Sequence, residues 1–98
     1  MSKIVVYVST VASNLDIKKK QQKVEMILDS KFKHGGPVTV EYVDVAASEA
    51  DKKKMRDLSG NPKALPPQFF NGDTYCGDYD AFDDAVESDA LMQFLKLA

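Results

Sequence analysis

The chain has 98 residues, a length that suits one compact domain with a single set of core residues. Hydrophobic residues account for 44% and charged residues for 29%, which is the balance of a folded globular protein. A formal net charge of −2 offers no basic surface to nucleic-acid phosphates, and no apolar run approaches the ~20 residues that span a bilayer. We therefore expect one domain over residues 1–98, without a signal peptide, a membrane partner or a nucleic-acid partner.

Cysteine and histidine each occur once, as Cys76 and His34. One cysteine cannot form an internal disulfide or a dithiol redox pair, and a single histidine beside it cannot complete a zinc site. Such cysteine usage is typical of the reducing cytoplasm. The composition therefore predicts a cytoplasmic protein, with the nucleus as a second location, that has no metal ligands.

The first half of the chain predicts a strand, a helix and a second strand. Residues 3–8 are β-branched and aromatic and apolar on both faces, as in a central strand that is buried on two sides. Asn14 or Asp16 provides an N-cap for a helix, and Gln21 is a polar exception on its apolar face. That face otherwise consists of Ile17, Val24, Ile27 and Leu28. Residues 38–43 alternate as a strand, which completes a βαβ unit, and the crossover of such units is right-handed in ~98% of cases.

The second half predicts another helix and then a β-hairpin. Ser48 begins a capping box for a helix that Gly60 ends in the left-handed conformation. Residues 68–70 form a short strand, and Asn71-Gly72 is the strongest two-residue hairpin signal in the chain. The returning strand covers residues 74–76.

A helix capped by Asp78 or Asp80 and a last helical turn complete the predicted order. The inner residues of these two helical segments are Phe82, Ala85, Val86, Leu91, Phe94, Leu95 and Leu97. The resulting order, β-α-β-α-β-β-α-α, predicts an α/β fold of the thioredoxin type. Its four-stranded mixed sheet is flanked by helices on both faces.

The loop between the first strand and its helix is the candidate site for chemistry, because ligands of open α/β sheets bind beyond the carboxyl ends of parallel strands. A thioredoxin-fold redox enzyme has its nucleophilic cysteine at this helix N-terminus, which favours a thiolate. This loop instead contains Ser9, Thr10, Ser13 and Asn14. A hydroxyl without a neighbouring base is a poor nucleophile, so these residue types favour a helix cap and a polar loop over a catalyst.

Cys76 is surrounded in sequence by carboxylates rather than by cations. Asp73, Asp78 and Asp80 disfavour the thiolate, which is the reactive form of cysteine. A packing cysteine is therefore the favoured interpretation. A redox-active thiol, and a thiol that forms a mixed or intermolecular disulfide under oxidative stress, stay as alternatives.

The segment that begins with two prolines allows two interpretations. As a linear ligand, Pro66, Pro67, Phe69 and Phe70 fit the PPxxF pattern of EVH1 ligands, and the proline content suggests SH3 recognition, although no complete PxxP is present. As structure, Pro67 would begin the third strand, where thioredoxin folds have a cis proline that faces the site. A strand that pairs within a sheet cannot also present a free polyproline helix, so the structural interpretation is favoured.

Residues 60–68 and 71–79 closely resemble the family of SH3-domain-binding glutamic-acid-rich-like proteins. The likeness extends from the first strand to residues 94–98 and covers nearly the whole chain. The resemblance implies a single glutaredoxin-like domain with a thioredoxin fold that lacks the Cys-x-x-Cys motif. It also implies a binding or modulating protein rather than a redox enzyme.

The glutaredoxin relationship implies roles for single residues. Pro67 is similar to the cis proline, and Pro66 to the residue whose backbone pairs with glutathione. Gly77 is similar to the second glycine after the hairpin, and Asp80 to the acidic residue that meets the glutathione amino group. The chain departs from the glutaredoxin pattern at Ser9, Cys76 and Tyr79. These departures predict that glutathione binds weakly and that the protein has no resident cofactor and no catalytic residue.

We therefore expect a monomer without enzymatic activity that acts by binding other proteins. The expected partners are SH3 domains, EVH1 domains or the clients of glutaredoxins, and such binding would modulate glutaredoxin function or redox-linked signalling. Two alternatives stay open. One is a monothiol glutathione-dependent oxidoreductase that uses Cys76, and the other is an SH3 or EVH1 ligand formed by residues 66–70.

Overall fold

Strands and helices follow the predicted order in a computed structural model that describes residues 2–11, 14–32 and 36–98. They are β1 (Ser2–Val8), α1 (Leu15–Lys31), β2 (Val38–Asp44), α2 (Glu49–Ser59), β3 (Gln68–Asn71), β4 (Thr74–Asp78), α3 (Tyr79–Glu87) and α4 (Leu91–Phe94). The order confirms the prediction of a βαβ half that is followed by a helix, a hairpin and two further helices.

The strands of the described chain form one mixed sheet in the order β2-β1-β3-β4. β1 lies parallel to β2, with Ile4 opposite Val40. It lies antiparallel to β3, with Val6 opposite Phe69. The central position of β1 agrees with its apolar composition on both faces.

The hairpin of β3 and β4 turns at Asn71-Gly72, as predicted, with Gly72 in the left-handed region at φ 60°. β4 is longer than its predicted extent, because a register shift between Phe69 and Phe70 lets the pairing continue. The added pairing brings Asp78 opposite Gln68. As a result, α3 begins beside the start of β3.

Side chains alternate between the two faces of the sheet and form two separate cores. On one face, the strands pack against α1, α3 and α4. The fully buried residues of this first core are Ile4, Val6, Val24, Leu28, Phe69, Phe82 and Leu95. On the other face they pack against α2, and the buried residues of this second core are Tyr7, Val45, Met55, Ala64 and Phe70. Helices therefore cover both faces, which confirms the predicted architecture.

Each long helix begins at a polar cap, and the structure decides between the predicted candidates. Asn14 caps α1 by accepting a hydrogen bond of 2.8 Å from the Asp16 backbone N–H. Ser48 caps α2, and Asp78 rather than Asp80 caps α3. Across the described residues, no helix combines the length and the apolar composition that crossing a membrane requires.

Candidate binding groove

The loop between β1 and α1 is held to the rest of the protein by hydrogen bonds. The Gln21 side chain accepts a bond of 2.8 Å from the Ser9 backbone N–H and donates one of 3.0 Å to the Ser9 carbonyl oxygen. Thr10 donates from its N–H and from its hydroxyl to the two carboxylate oxygens of Asp44, at 3.1 Å and 2.6 Å. Gln21, the polar exception on the inner face of α1, therefore has a structural partner. Ser13 lies outside the described residues.

The partner of the Thr10 hydroxyl is a carboxylate that is poorly suited to act as a base. Asp44 accepts hydrogen bonds from the Thr10 hydroxyl and N–H and from the Ala46 N–H, and the Thr10 hydroxyl bond contributes most to lowering the pKa of this carboxyl. A carboxylate that holds its charge so readily takes a proton from a hydroxyl only weakly. The geometry supports a structural loop at Ser9, Thr10 and Asn14.

A groove opens at the carboxyl end of β1, between this loop, α2 and the segment that precedes β3. It has two lobes of about 320 Å³ and about 450 Å³, which share the lining residues Asn14, Ile17, Leu65 and Pro66. The residues found only in the first lobe include Asp16, Lys20, Lys63, Pro67, Asp78 and Asp80. Those found only in the second lobe include Ser9, Val11, Glu49, Lys52 and Arg56. We call the first the acidic lobe and the second the basic lobe.

The structure brings most, but not all, of the expected glutathione-binding residues together. Pro66, Pro67 and Asp80 line the acidic lobe, and the Pro66–Pro67 peptide bond is cis, as the resemblance implies. Gly77 is instead buried, with φ 155°, and a Cβ atom at this position would lie 2.8 Å from Phe94 Cε1. Gly77 therefore serves the packing of α4 rather than the lining of the groove.

Pro66 offers only half of the backbone pairing that the resemblance implies. A proline has no backbone N–H, so Pro66 has a carbonyl acceptor and no donor for an extended ligand. A ladder contact between two backbones normally uses both groups. The groove thus lacks one of the backbone contacts that the resemblance implies for glutathione.

Gln68 fixes the wall of the groove, and sequence reasoning did not identify it. Its buried side chain donates a hydrogen bond of 2.7 Å to the Leu65 carbonyl oxygen and accepts one of 2.7 Å from the Tyr75 hydroxyl. These bonds tie the segment that carries Leu65 to the sheet. The signal in the sequence was a glutamine at the start of an otherwise apolar strand.

Lys20 also lines the acidic lobe of the groove. Its ammonium group lies 3.2 Å from the Asp16 carboxylate and 5.3 Å from the centre of the Tyr79 ring. The hydrogen bond with Asp16 contributes most to raising the pKa of Lys20. One further turn along α1, Lys23 pairs with Asp83 of α3 at 2.7 Å. These lysines connect α1 to the α3 region.

Apolar side chains are exposed at this end of the protein. Leu65 is 59% exposed, Val11 is 79% exposed and Leu15, the first residue of α1, is 64% exposed. Ile17, expected on the inner face of α1, is half-buried and lines both lobes. The groove therefore has an apolar floor and rim with charged groups at both ends.

Cys76 lies outside the groove lining, on β4. Its side chain is half-buried against the first core, and burial is the main cause that raises the pKa of the thiol. The nearby Lys96 ammonium acts in the opposite direction and is the weaker influence. This environment is that of a packing cysteine. Nor do the described residues bring three His, Cys, Asp or Glu side chains together for a metal ion.

The segment of Pro66, Pro67, Phe69 and Phe70 is not available as a linear peptide. Phe69 and Phe70 are fully buried, the first in one core and the second in the other. β3 also pairs with β1 on one side and with β4 on the other. The prediction that this segment can act as a free SH3 or EVH1 ligand is therefore wrong, because its strand is paired on both sides and its two phenylalanine rings are buried in the cores.

Fold and groove together define a thioredoxin-like protein whose site has a cis proline and no cysteine pair. The chain belongs to the SH3-binding, glutamic acid-rich protein family, whose match spans residues 2–98. It is 44% identical over 107 residues to the SH3 domain-binding glutamic acid-rich protein homolog of Drosophila melanogaster. That similarity covers 95% of this chain and 63% of the relative, so the chain spans less than two thirds of the relative's length.

Solved structures with a similar fold include the C. albicans actin interacting protein Aip5. The TM-score is 0.72 at 24% sequence identity, and the similarity covers 96% of this chain and 88% of the other. A mutant of actin interacting protein 5 gives a TM-score of 0.70 at 16% identity, with 96% and 87% covered. At these identities the likeness establishes the fold alone.

Proposed function

We propose that this chain is a protein-interaction domain that binds a segment of a partner protein in the two-lobed groove and catalyses no reaction there. The observation that carries the proposal is that Val11 and Leu65, two of the most exposed large hydrophobic residues of the described chain, line this groove. The family is named for binding rather than for a reaction, and this supports the proposal.

The location of the exposed apolar residues favours a macromolecular ligand. Single exposed leucines and valines are common on protein surfaces and need no special explanation. Here, however, the large hydrophobic residues that are most exposed in the described ranges are Val11, Leu15, Met26 and Leu65, and only Met26 lies away from the groove end. Burial of one such side chain contributes about 1.5–3 kcal/mol, so a partner that covers this rim gains binding free energy.

We propose that the partners are proteins that glutaredoxins also engage, and that this chain modulates redox-linked signalling by occupying them. The location of Pro66 and Asp80 in the acidic lobe supports this, because the resemblance implies that these residues line a glutaredoxin-like groove. The monothiol alternative requires a lowered pKa at Cys76, whereas burial raises the pKa of this thiol.

SH3 domains are a second proposed class of partner, because the family is named for SH3 binding. In this chain the exposed part of the proline-containing stretch is the loop before β3, with Pro62, Lys63 and Leu65. Contact with an SH3 domain would therefore use the surface of this loop. EVH1 recognition through Phe69 and Phe70 receives no support, since both rings are buried.

Glutathione is proposed to be at most a weak ligand and not a cofactor. The missing N–H of Pro66 removes one backbone contact, and Ser9 stands where a lysine would meet a carboxylate. A glutathione titration of ¹⁵N-labelled protein measures this directly. We expect no saturable amide shifts in the acidic lobe at millimolar glutathione, and saturable shifts there would contradict this part of the proposal.

The test of the proposed function compares two substitutions of exposed apolar residues. Leu65→Asp places a charge on the groove rim, while Met26→Asp places the same charge on α1 away from the groove. Each variant is used as bait, and captured proteins are quantified by mass spectrometry and then tested individually as purified proteins. We expect a set of direct partners that Leu65→Asp loses and Met26→Asp retains. Equal capture by both variants would contradict the proposal.

A further inference from the structure

α2 presents two basic side chains to the groove that have no carboxylate partner. Lys52 and Arg56 lie one helical turn apart, and both line the basic lobe. Their neighbours on the same helix are paired, Lys53 with Asp57 at 2.6 Å and Lys54 with Asp73 at 3.8 Å. Among the ion pairs of the described residues, none includes Lys52 or Arg56. The groove side of α2 is thus the side with unpaired positive charge.

The spacing of Lys52 and Arg56, which lie four positions apart on α2, is unfavourable for the isolated helix. Two cations at positions i and i+4 repel each other and destabilise a helix by about 0.2–0.5 kcal/mol. The chain contains 15 Asp and Glu residues against 13 Lys and Arg residues, so acidic residues are not scarce. Arg56 is also held in place, because its Nε donates a hydrogen bond of 3.3 Å to the Ala64 carbonyl oxygen. That bond leaves the terminal guanidinium N–H groups as donors for a ligand.

The residues that line this lobe leave it with a net positive charge, because Lys52 and Arg56 outnumber its carboxylate. Glu49 is the one acidic residue among the described residues that line it, whereas the acidic lobe has Asp16, Asp78 and Asp80. The N-terminus of α1 also opens here at Asn14, and a helix N-terminus carries a partial positive charge. The lobe is continuous with Leu65 and Val11, so a charged group bound there would adjoin an apolar surface.

We infer that the basic lobe binds an acidic side chain of the partner segment, next to an apolar side chain that covers Leu65. This inference rests on the proposed function, since it specifies the chemistry of the segment that the groove binds. Arg56 provides a planar pair of N–H donors for a carboxylate, and Lys52 adds a second charge one turn away. Contact with Leu65 favours an apolar side chain next to the acidic side chain of the partner segment. The acidic lobe disfavours a second carboxylate at the other end.

The expected contribution of this contact is moderate, because both basic side chains are partly exposed to solvent. Ion pairs in such positions are screened by salt, and we expect loss of the contact to weaken binding about 3- to 10-fold at low ionic strength. The apolar contact at Leu65 is not weakened by ionic screening. The two contributions can therefore be separated in one set of measurements.

The experiment uses a random octapeptide display library selected in parallel on the wild-type protein and on two double variants. Lys52→Gln with Arg56→Gln removes both groove cations, and Lys53→Gln with Lys54→Gln removes as much charge from the same helix away from the groove. We expect the wild type and the second variant to enrich peptides with Asp or Glu beside an apolar residue. We expect the first variant to enrich the apolar residue without the acid.

An enriched peptide and its Asp→Asn or Glu→Gln counterpart are then titrated by calorimetry at low and at high salt. A 3- to 10-fold loss for the amide counterpart on wild type, absent on the first variant, supports the inference. Enrichment of apolar peptides without any acidic preference would overturn the inference and leave the proposed function intact. If no peptide is enriched on any of the three proteins, both the inference and peptide binding by the groove are wrong.

Discussion

On the loop side of the groove, polar groups are bonded within the protein, whereas on the α2 side two basic side chains have no carboxylate partner among the described residues. The backbone of Ser9 is bonded to Gln21, and Thr10 is bonded to Asp44. Across the groove, Lys52 and Arg56 belong to no ion pair among the described residues. The side where a redox enzyme has its nucleophile is therefore structural in this chain. In the proposed function, the ligand contacts come from α2 and from the segment before β3.

This contrast separates the part of the groove that is fixed by internal hydrogen bonds from the part whose charged groups can contact a ligand. Hydrogen bonds hold Ser9 and Thr10 in place, and a groove that is ordered before binding loses less conformational entropy when it binds a ligand. The wall formed by Leu65, Pro66 and Pro67 is held separately, through Gln68. The shape of the groove and the identity of the residues facing its ligand can therefore change independently.

The largest expected effect is at Gln68, which supports the ligand-facing wall. Gln68→Met removes the bonds to the Leu65 carbonyl and the Tyr75 hydroxyl and leaves both groups without their partner. We expect a loss of about 2–3 kcal/mol in the free energy of unfolding, measured by urea denaturation. Tyr75→Phe is the matched control that removes one bond, with an expected loss of about 1 kcal/mol. A loss at Gln68 no greater than that of the control would contradict this role.

A smaller effect is expected at Gln21, which holds the loop side. Gln21→Met removes both bonds to Ser9, and we expect a loss of about 1–2 kcal/mol in unfolding free energy. Gln22→Met is the control, because Gln22 is exposed on the same helix. Hydrogen exchange should show faster exchange of the Ser9 amide in the first variant only. Equal stability of the two variants would show that Gln21 does not anchor the loop.

The smallest stability effect is expected at Asp44, and it depends on pH. The pKa of this carboxyl is lowered in the folded protein, chiefly by the Thr10 hydroxyl. Such a carboxyl stabilises the fold above its unfolded pKa, and the stabilisation is lost as pH falls through the lower, folded pKa. Stability of the wild type should therefore fall more steeply below about pH 4 than that of Asp44→Asn. Parallel curves of unfolding free energy against pH would contradict the role of Asp44.

The fold was predictable from the sequence because its signals are local. Asn71-Gly72 determines a hairpin, a polar residue before an apolar face determines a helix cap, and a doubly apolar strand belongs at the centre of a sheet. The resemblance also implied the cis bond before Pro67, which the structure contains. Each of these features depends on residues that are close together in the sequence, so it can be predicted without knowing which distant residues are in contact.

The candidate site was only partly predictable, because its contacts join distant residues. Gln21 meets Ser9 across 12 positions, and Asp44 meets Thr10 across 34 positions. Ile17 shares a helical face with core residues, yet the first turn of α1 lies at the groove and places Ile17 there. Periodicity shows which face of a helix is apolar but not what that face contacts at each turn.

The central claim is that the groove with Leu65 on its rim binds a partner segment, and NMR mapping tests it most directly. A peptide enriched on the wild-type protein is titrated into ¹⁵N-labelled protein at saturating concentration. We expect amide shifts at Ile17, Lys52 and Leu65 and unchanged amides around Met26, with Leu65→Asp abolishing the shifts. Shifts confined to the surface around Met26, or unaltered binding by Leu65→Asp, would contradict the account.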